Sequence, residues 1–337
     1  MKRPHPPLFV LLAAIVLVLV TGCRDEVSAE TRAQLQQAEP ELEFQQDGAS
    51  FAVIEGNVYR VLGGGNYEMV GRLYEPGFHA RNFVEDSGTL YQVDPGSGQR
   101  YAVTRHFEEG FEGAGSVDAL MSAERWHRYN TDPKRVNESH NFYKLGNRIQ
   151  LTREKAHSGH ASLRFHANPD ANNVSKASIA KGILYFANGD DFWLSGWFYI
   201  EDTPSLTDAG AFTLFDLESS FMEYAGIRTI FRRNDSLAFE LKMPKTQFEQ
   251  ERGKEVPFPT GQWVHLVAHV HLGIDDGQVE LWQDGRQVLS RRGRTIPVAA
   301  TVYDRLELGI TAIAQGSKYD KVLYVDDLVI NDAPLEN

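Results

Sequence analysis

The sequence has 337 residues and is acidic, with 34 lysines and arginines against 46 aspartates and glutamates and a formal charge of −12 at pH 7. Affinity for nucleic acid comes from neutralising phosphates with basic side chains, so this balance argues against a nucleic-acid-binding protein. It also argues against polyanionic glycans as ligands, unless a local basic patch overrides the overall field.

The N-terminus has the pattern of a secretory signal. Two basic residues precede an uninterrupted apolar run, Leu8–Val20, which is too short to span a bilayer as a helix. The run leads into VTGC at residues 20–23, which resembles the bacterial lipobox, whose cysteine is lipidated and becomes the first residue of the mature protein. The alternative is an ordinary signal peptide followed by an unrelated free thiol. We predict that Cys23 carries lipid and that residues 1–22 are removed.

Lipidation at Cys23 would have three consequences. Arg24 stands where an aspartate often retains such lipoproteins at the inner membrane, so the resemblance implies a lipid anchor in the outer membrane of a bacterial envelope. The mature chain would hold 32 basic against 46 acidic residues, a formal charge of −14. Because the chain has no other cysteine, the folded part would contain no disulfide, no cysteine-ligated zinc and no cysteine nucleophile.

Two short segments follow the cysteine. Residues 23–40 are polar and rich in Ala, Gln and Glu, which predicts a flexible tether. Residues 41–104 contain a weak repeat, with GNVYRV starting at Gly56 and GTLYQV starting at Gly88, each followed by a glycine-rich turn. Two copies are too few to close a propeller. We predict a small β-hairpin module that packs on the next domain.

Residues 105–337 have the pattern of one all-β domain. Ten stretches of alternating apolar and polar residues lie between residues 160 and 330, separated by Gly, Asp, Asn and Pro, and long helical patterns are absent. This pattern predicts two antiparallel sheets packed face to face, a β-sandwich of jelly-roll type preceded by the small β module.

Several of these segments carry a family resemblance. They are EEGFEG at 108–113, HSGHASLRF at 157–165, FWLSGWFYI at 192–200, a segment with Gly-x-Trp and Trp-x-Asp-Gly at 261–288, and LYVDDLVI at 323–330. Their order resembles that of the concanavalin A-like lectin/glucanase superfamily, and the long segment is similar to its laminin-G-type and heparin-lyase-type members. The resemblance covers residues 106–332 and implies a jelly roll with a carbohydrate site on the concave face of one sheet. The superfamily contains lectins, hydrolases, lyases and non-catalytic modules, so it leaves the function open.

The segment AFTLFDLESS, residues 211–220, places two acids on one face of a predicted strand. Strict alternation puts Asp216 and Glu218 on the same face as Phe212 and Leu214. Laminarinase-like members of the superfamily carry a Glu-x-Asp-x-x-Glu series on such a strand, and lyase-like members carry Gln-x-His. This chain has neither series, so a polar rim that binds sugar hydroxyls is an alternative to a catalytic acid pair.

Neighbouring segments offer partners for these acids. Charged residues alternate with apolar ones in GIRTIFRR and LAFELKM, so adjacent strands would place a ladder of charges on one sheet face. Cross-strand charge pairing on a solvated face is one interpretation. A glycan-binding groove is the other, because arginine and carboxylate groups bind sugar hydroxyls and an aromatic ring can stack on a sugar. The predicted carbohydrate-binding residues are Asp216, Glu218, Tyr224, Arg228, Arg232, Glu240 and Lys242.

A lyase mechanism has a candidate location in the segment WHRYNTDPKRVNESHNFY at residues 126–143. A lyase removes a proton from the sugar and returns one to the leaving group, which histidine and tyrosine can both do. The predicted catalytic residues in this case are His127, Tyr129, His140 and Tyr143.

Two further patterns raise the possibility of a metal. His265, His269 and His271 share one strand face, but a catalytic zinc needs a third ligand and an open position, so structural histidines are favoured. Asp326 and Asp327 are adjacent on the last strand, so one of them should point inward and need a partner. Acids near the domain start could share a structural Ca²⁺ with them, and hydrogen bonds to backbone amides would serve equally well. The predicted calcium ligands are Glu109, Glu112, Asp326 and Asp327.

The main hypothesis is an envelope lipoprotein that binds a polysaccharide on the concave face of its jelly roll. One alternative is a polysaccharide-degrading enzyme, a lyase rather than a hydrolase, acting on an envelope or environmental glycan. The other is a structural lipoprotein that binds another protein. A lyase would release unsaturated, ultraviolet-absorbing ends, whereas a binding module would only be retarded in a gel that contains its glycan.

Overall fold

The fold is given by a computed structural model. It describes residues 42–46, 49–54, 57–62, 66–73, 82–87, 89–93, 100–102, 104–121, 125–135, 141–202, 211–219, 225–232, 234–299 and 301–335. The predicted lipidation site Cys23 and the candidate site residues His140 and Tyr224 lie outside these residues. Within them, no helix is both long and apolar enough to cross a bilayer.

Seven strands form the N-terminal sheet and pair in chain order. They are β1 (Leu42–Gln46), β2 (Ala49–Ile54), β3 (Asn57–Leu62), β4 (Asn66–Leu73), β5 (Asn82–Asp86), β6 (Thr89–Val93) and β7 (Arg100–Ala102). All pairs are antiparallel except β4 with β5. The two repeated segments supply β3 and β6, and each pairs with the strand that follows it. A small core of Ala52, Ile54 and Tyr59 stabilises this sheet.

Two antiparallel sheets follow, which we call the back sheet and the front sheet. The back sheet has the order β10-β11-β22-β13-β18-β19-β20, with β8 also paired to β22. Its strands are β8 (Phe107–Glu109), β10 (Arg148–Thr152), β11 (Ser162–Ala167), β13 (Asp191–Ile200), β18 (Trp263–His271), β19 (Gln278–Gln283), β20 (Arg286–Arg292) and β22 (Lys321–Asn331).

The front sheet has the order β17-β16-β15-β14-β21-β12-β9. Its strands are β9 (Arg128–Tyr129), β12 (Ser175–Phe186), β14 (Phe212–Glu218), β15 (Gly226–Phe231), β16 (Leu237–Leu241), β17 (Thr246–Phe248) and β21 (Tyr303–Ile313). The helical segments described are short: α1 (Val117–Leu120), η1 (Pro133–Arg135) and η2 (Phe142–Leu145). The predicted all-β sandwich preceded by a small β module is confirmed.

The hydrophobic core lies between the front and back sheets. The core results from the alternation of apolar and polar residues along each strand, as strand β21 shows. Leu306, Leu308 and Ile310 point inward and are fully buried. Arg305 and Glu307 alternate with them and point outward. Burying one such aliphatic side chain stabilises the fold by about 1.5–3 kcal/mol. The same period of two on the other strands leaves the opposite face of the front sheet to polar groups.

Strand β14 departs from strict alternation. Register shifts against both of its neighbours place a β-bulge at Leu214 and Phe215, and both of these side chains enter the core. Thr213 instead points outward and joins the hydrogen bonds of the outer face. Asp216 and Glu218 share that outer face with Thr213, so the expectation that they lie on the same face as Leu214 is wrong. The bulge allows two consecutive apolar residues to be buried before two acids that are not in the core.

The N-terminal sheet contacts the sandwich at the start of β13. Arg60 of β3 and Arg105 each place a guanidinium nitrogen 2.8 Å from the carboxylate of Asp190. Burial alone would raise the pKa of Asp190, but these two positive charges outweigh it and lower the pKa. A parallel bridge between Thr104 and Ile183 adds a backbone contact.

Candidate functional site

The outer face of the front sheet carries two rows of residues that lie opposite one another on successive strands. The central row crosses the whole sheet and consists of Arg128, Ala180, Glu307, Asp216, Arg228, Glu240 and Gln247. The second row consists of Gly182, Arg305, Glu218, Gly226 and Lys242. We call the surface formed by these two rows, together with the outward side chains that bind them, the polar face.

Two carboxylates, Glu307 and Asp216, lie directly opposite each other in the central row. Like charges in this position are destabilising unless they are compensated. Glu307 accepts hydrogen bonds from Asn130 at 2.7 Å and from Ser178, and it forms an ion pair with Lys176 at 3.2 Å. Strand β12 and the residue that follows β9 therefore supply the groups that stabilise this buried acid.

Lys242 stabilises the acids of β14. Its Nζ lies 2.7 Å from Asp216 and also contacts Glu218, whose second oxygen accepts a hydrogen bond from Arg305. The aliphatic stem of Lys242 crosses Gly226, where a Cβ would lie only 3.2 Å from the stem carbons and 2.7 Å from a backbone oxygen. Asp216 also accepts a hydrogen bond from a threonine hydroxyl on β21 at 2.7 Å. Glycine at position 226 thus leaves the space through which the lysine reaches both carboxylates.

Burial and ion pairing set the charge states on the polar face. Burial alone would raise the pKa of Glu218, but the charges of Arg305 and Lys242 outweigh it and hold the pKa well below its usual range. Burial would likewise lower the pKa of Lys242, but Asp216 and Glu218 outweigh it and raise the pKa. Both groups are therefore charged at neutral pH, and neither is suited to accept a proton from a substrate.

The cation is the more exposed partner in the ion pairs of the polar face. The side chain of Lys176 is 27% exposed, whereas that of Glu307 is 4% exposed. Arg305 is 32% exposed and its partner Glu218 is 11% exposed. The other pairs of the two rows follow the same order. The acids form a buried layer beneath an outer layer of cations, so a ligand on this face meets positive charge first although the whole chain is acidic.

Three of the buried acids have the spacing of metal ligands. Carboxylate oxygens of Asp216, Glu218 and Glu307 lie within 4.8 Å of one another, the one such group found in the described part of the chain. Each of these carboxylates is paired with a lysine or an arginine. The charge of the three acids is therefore balanced by protein cations.

Five of the predicted carbohydrate-binding residues meet on the polar face. They are Asp216, Glu218, Arg228, Glu240 and Lys242. Arg232 lies beyond the end of β15 and forms an ion pair with Glu249, and Tyr224 lies outside the described residues. Whether these residues bind a sugar stays a prediction.

Seven residues of the polar face were not among those predicted from the sequence. The missed residues are Arg128, Asn130, Lys176, Ser178, Arg305, Glu307 and Thr311. Alternation in SKASIA and RLELGI was a usable signal, because it places the polar side chains of each strand on one face. It did not reveal that β21 lies next to β14 and that β12 lies on the other side of β21.

Two members of the predicted lyase group lie on strand β9 or next to it. His127 borders the second row, and its Nδ1 accepts a hydrogen bond from the backbone N–H of Gly182 at 2.7 Å. In the neutral ring the proton is then on Nε2, which makes His127 a hydrogen-bond donor. Tyr129 instead packs against the core, and its hydroxyl donates to Asp118 at 2.8 Å. Burial and Asp118 raise its pKa, so this phenol is a poor source of a proton.

The third described member lies elsewhere. Tyr143 belongs to η2, and its ring packs under the guanidinium group of Arg148, with 4.0 Å from the ring centre to the guanidinium carbon. Arg148 begins β10, a strand of the back sheet. The three described residues therefore occupy separate positions, and only His127 adjoins the polar face.

The four predicted calcium ligands do not converge on one point. Asp326 is fully buried and accepts three backbone N–H bonds, and Asp327 is bound by a histidine and a serine side chain. Glu109 forms an ion pair with Arg125 at 2.5 Å, and Glu112 accepts two backbone N–H bonds. No three of these four carboxylates lie close enough together to share a metal ion, so the structure does not support the predicted calcium site. Backbone hydrogen bonding, the alternative considered from the sequence, accounts for the inward-pointing Asp326.

The histidines of β18 are bound to side chains on the outer face of the back sheet. His265 lies 2.8 Å from the hydroxyl of Ser195. His269 and His271 share the carboxylate of Asp191 at 2.7 and 3.0 Å. These contacts fit structural histidines.

The family of the protein is shown by comparison with known proteins. A model of the polysaccharide lyase family matches residues 122–328, a range that contains the whole front sheet. The chain belongs to this family. No curated protein matches the sequence. If this polysaccharide lyase family member is an enzyme, it is a polysaccharide lyase, which favours the lyase alternative over the main binding hypothesis.

Solved structures resemble the fold of this lyase-family domain. The endo-β-1,4-glucuronan lyase from the fungus Trichoderma reesei aligns with a TM-score of 0.50 and 11% identity, over 68% of this chain and 96% of that chain. The alginate lyase Aly36B aligns with a TM-score of 0.45 and 11% identity, over 70% of this chain and 100% of that chain. The first of these alignments supports the jelly-roll sandwich, and the likeness concerns the fold alone.

Proposed function

We propose that the protein is a polysaccharide lyase that cleaves a uronate-containing polymer on the polar face of the front sheet. The observation that carries this proposal is the outer layer of cations on that face, within a domain of the polysaccharide lyase family. A local positive surface overrides the negative charge of the whole chain, which removes the objection to an acidic glycan.

The chemistry of a lyase explains why cations are needed. A base takes the proton at C5 of the uronate, the electron pair left behind forms the C4–C5 double bond, and the C4–O4 bond breaks as O4 takes a proton. Negative charge builds on the carboxylate next to C5 in the transition state. Fixed positive groups and hydrogen-bond donors aimed at that carboxylate lower the barrier.

Arg305 and His127 are suited to hold the reacting carboxylate. They flank Gly182, which places no side chain between them. Arg305 is held by Glu218, which orients its guanidinium group, and it remains partly exposed. Arginine binds carboxylates in a planar, two-point geometry. We assign to Arg305 the neutralisation of the uronate carboxylate. We assign to His127 a hydrogen bond that its Nε2 donates to the same carboxylate.

A polymer panel tests the proposal. The purified lipoprotein in detergent should release ultraviolet-absorbing unsaturated ends from an acidic polymer, with glucuronan and alginate as first substrates, and none from a neutral β-glucan. We choose these two acidic polymers because the solved structures of similar fold include a glucuronan lyase and an alginate lyase. Retardation in a gel that contains an acidic polymer, with no unsaturated product from any polymer, would support the binding hypothesis and contradict the lyase.

We also propose that lipid on Cys23 holds the enzyme at the envelope, in the outer membrane, with residues 23–40 as the tether. Replacing Cys23 with serine should move the protein from the membrane fraction to the soluble fraction, because no acyl chain could then be attached. Fractionation followed by immunoblotting measures this. A Cys23→Ser variant that stays in the membrane fraction would mean that something other than the acyl chains anchors the chain.

A further inference from the structure

A basic edge lies outside the polar face, on the last strand of the back sheet. Strand β20 and the residues after it carry four exposed arginines, Arg286, Arg291, Arg292 and Arg294. A groove of 210 Å³ separates β20 from residues 251–256, where Lys254 and Glu251 form an exposed ion pair. Four arginines within nine residues form a local concentration of positive charge on an acidic chain.

The charges of this edge are not neutralised within the described part of the protein. None of the four arginines forms an ion pair there. Arg291 and Arg294 donate to the backbone oxygens of Ser290 and Pro297. The cations of the polar face differ, because Lys176, for example, is paired with a buried carboxylate. Charged residues on an edge strand also prevent pairing between sheets of two molecules. That role accounts for the charge but not for a groove at this position.

The basic edge adjoins one end of the central row. Gln247 of β17 is the last residue of that row, and the next residue, Phe248, packs against Gly293. A Cβ at Gly293 would lie 3.0 Å from the phenyl ring, so the ring of Phe248 packs closely on the backbone of Gly293. Gly293 lies between Arg292 and Arg294 in the chain. A linear ligand that continues around the β17 end of the central row, past the exposed Glu249 and Glu251, would run toward these arginines.

We propose that the basic edge is an accessory subsite that binds the uronate units of the substrate chain beyond the β17 end of the central row. This inference rests on the proposed function, because the ligand is a continuation of the same polymer. Single exposed ion pairs contribute little, but several carboxylates on one chain bind together. Binding far from the reacting bond that is equal in the ground and transition states lowers KM for a long polymer and leaves kcat unchanged.

Matched charge variants test the subsite. The edge variant carries Arg286→Gln, Arg291→Gln and Arg292→Gln. The control variant carries Lys144→Gln, Arg153→Gln and Lys318→Gln, which removes the same charge from exposed cations elsewhere. For long glucuronan or alginate, the edge variant should raise KM roughly 3–30-fold with kcat unchanged, while the control stays near the wild type. Neither variant should change KM for a uronate tetrasaccharide. High salt should remove the difference on the polymer.

Two outcomes overturn the subsite. One is an unchanged KM for the polymer in the edge variant, and the other is an equal rise in the control, which would indicate the overall field of the protein. Retardation in a gel containing the polymer separates this inference from the proposed function, because it needs no turnover. If the edge variant is retarded less than the control variant, the subsite is supported. If the wild-type protein also makes no unsaturated product, the subsite is kept and the lyase function is rejected. Replacing the same three arginines with lysine should keep most of the retardation, which excludes unfolding as the cause.

Discussion

Replacing Lys242 with methionine is expected to destabilise the fold by about 3–5 kcal/mol. The ammonium group of Lys242 lies between Asp216 and Glu218, whose side chains are 2% and 11% exposed. Methionine fills a similar volume, so the variant removes the charge and leaves most of the packing in place. Two buried carboxylates then lose their common partner, and burying a charge without a partner is costly. Urea unfolding at pH 7 measures the loss.

The pH dependence of the Lys242→Met effect identifies its cause. The pKa of Glu218 is lowered in the folded protein, so the stabilisation that it contributes is present above its unfolded pKa of about 4.3 and is lost as the pH falls below that value. Without Lys242 this pKa rises, and the variant loses less stability on acidification. The difference between the two proteins should therefore stay nearly constant from pH 7 to about pH 5 and narrow below about pH 4.3.

A neighbouring lysine provides the control. The side chain of Lys245 is 71% exposed, and Lys245→Met should change the free energy of unfolding by less than about 1 kcal/mol. Adding Asp216→Asn to Lys242→Met should restore part of the lost stability, because Asp216 is the acid that Lys242→Met leaves without a cation among the described residues, whereas Glu218 keeps Arg305. A gap between wild type and Lys242→Met that stays constant on acidification would show that packing, and not charge, explains the loss.

Replacing Arg305 with glutamine is expected to lower kcat/KM on an acidic polymer by roughly 10²–10³-fold. Arg305 is the partly exposed cation of the second row, and its partner Glu218 fixes the guanidinium group in one orientation. Glutamine keeps a hydrogen-bond donor but loses the charge that would neutralise the uronate. Arg305→Lys should recover part of the rate, since lysine restores the charge without the two-point geometry.

Separate measurements distinguish catalysis from folding in the Arg305 variants. Circular dichroism at the assay temperature checks that each variant is folded, and the split between kcat and KM shows whether the transition state is affected. Lys318→Gln, on an exposed cation away from the polar face, is the matched control and should retain wild-type activity. An Arg305→Gln enzyme within a few-fold of wild-type activity would mean that elimination takes place elsewhere on the domain.

The role of the two acids of β14 differs from the one that their spacing in the sequence indicated. The sequence offered Asp216 and Glu218 as a catalytic pair or as a rim that touches sugar. In the structure they lie beneath Lys242 and Arg305, so their first effect is to position and stabilise cations. A side chain that acts in this way is a positioning residue, and its loss should affect stability as well as activity.

Local patterns were sufficient to predict the class of fold. The alternation of apolar and polar residues in segments such as RLELGI gives the direction of each side chain, and the turns between segments give antiparallel neighbours. The bulge at Leu214 and Phe215 was not predictable in this way, because it depends on register shifts against two other strands. One shifted residue is enough to reverse the face on which every later side chain lies.

The sequence by itself determined that the chain is an all-β sandwich with charged strand faces, and it predicted the lipid anchor from a local motif. Only the tertiary structure decided which charges meet. Glu218 and Arg305 are 87 residues apart, and Lys176 and Glu307 are 131 residues apart. Pairing between distant strands brings the members of each ion pair together, and the burial that follows determines which member is exposed. The pattern of a single strand predicts neither the pairing nor the burial. The exposed layer of cations therefore results from packing, since the buried acids are neutralised by groups that only the folded sheet brings within reach.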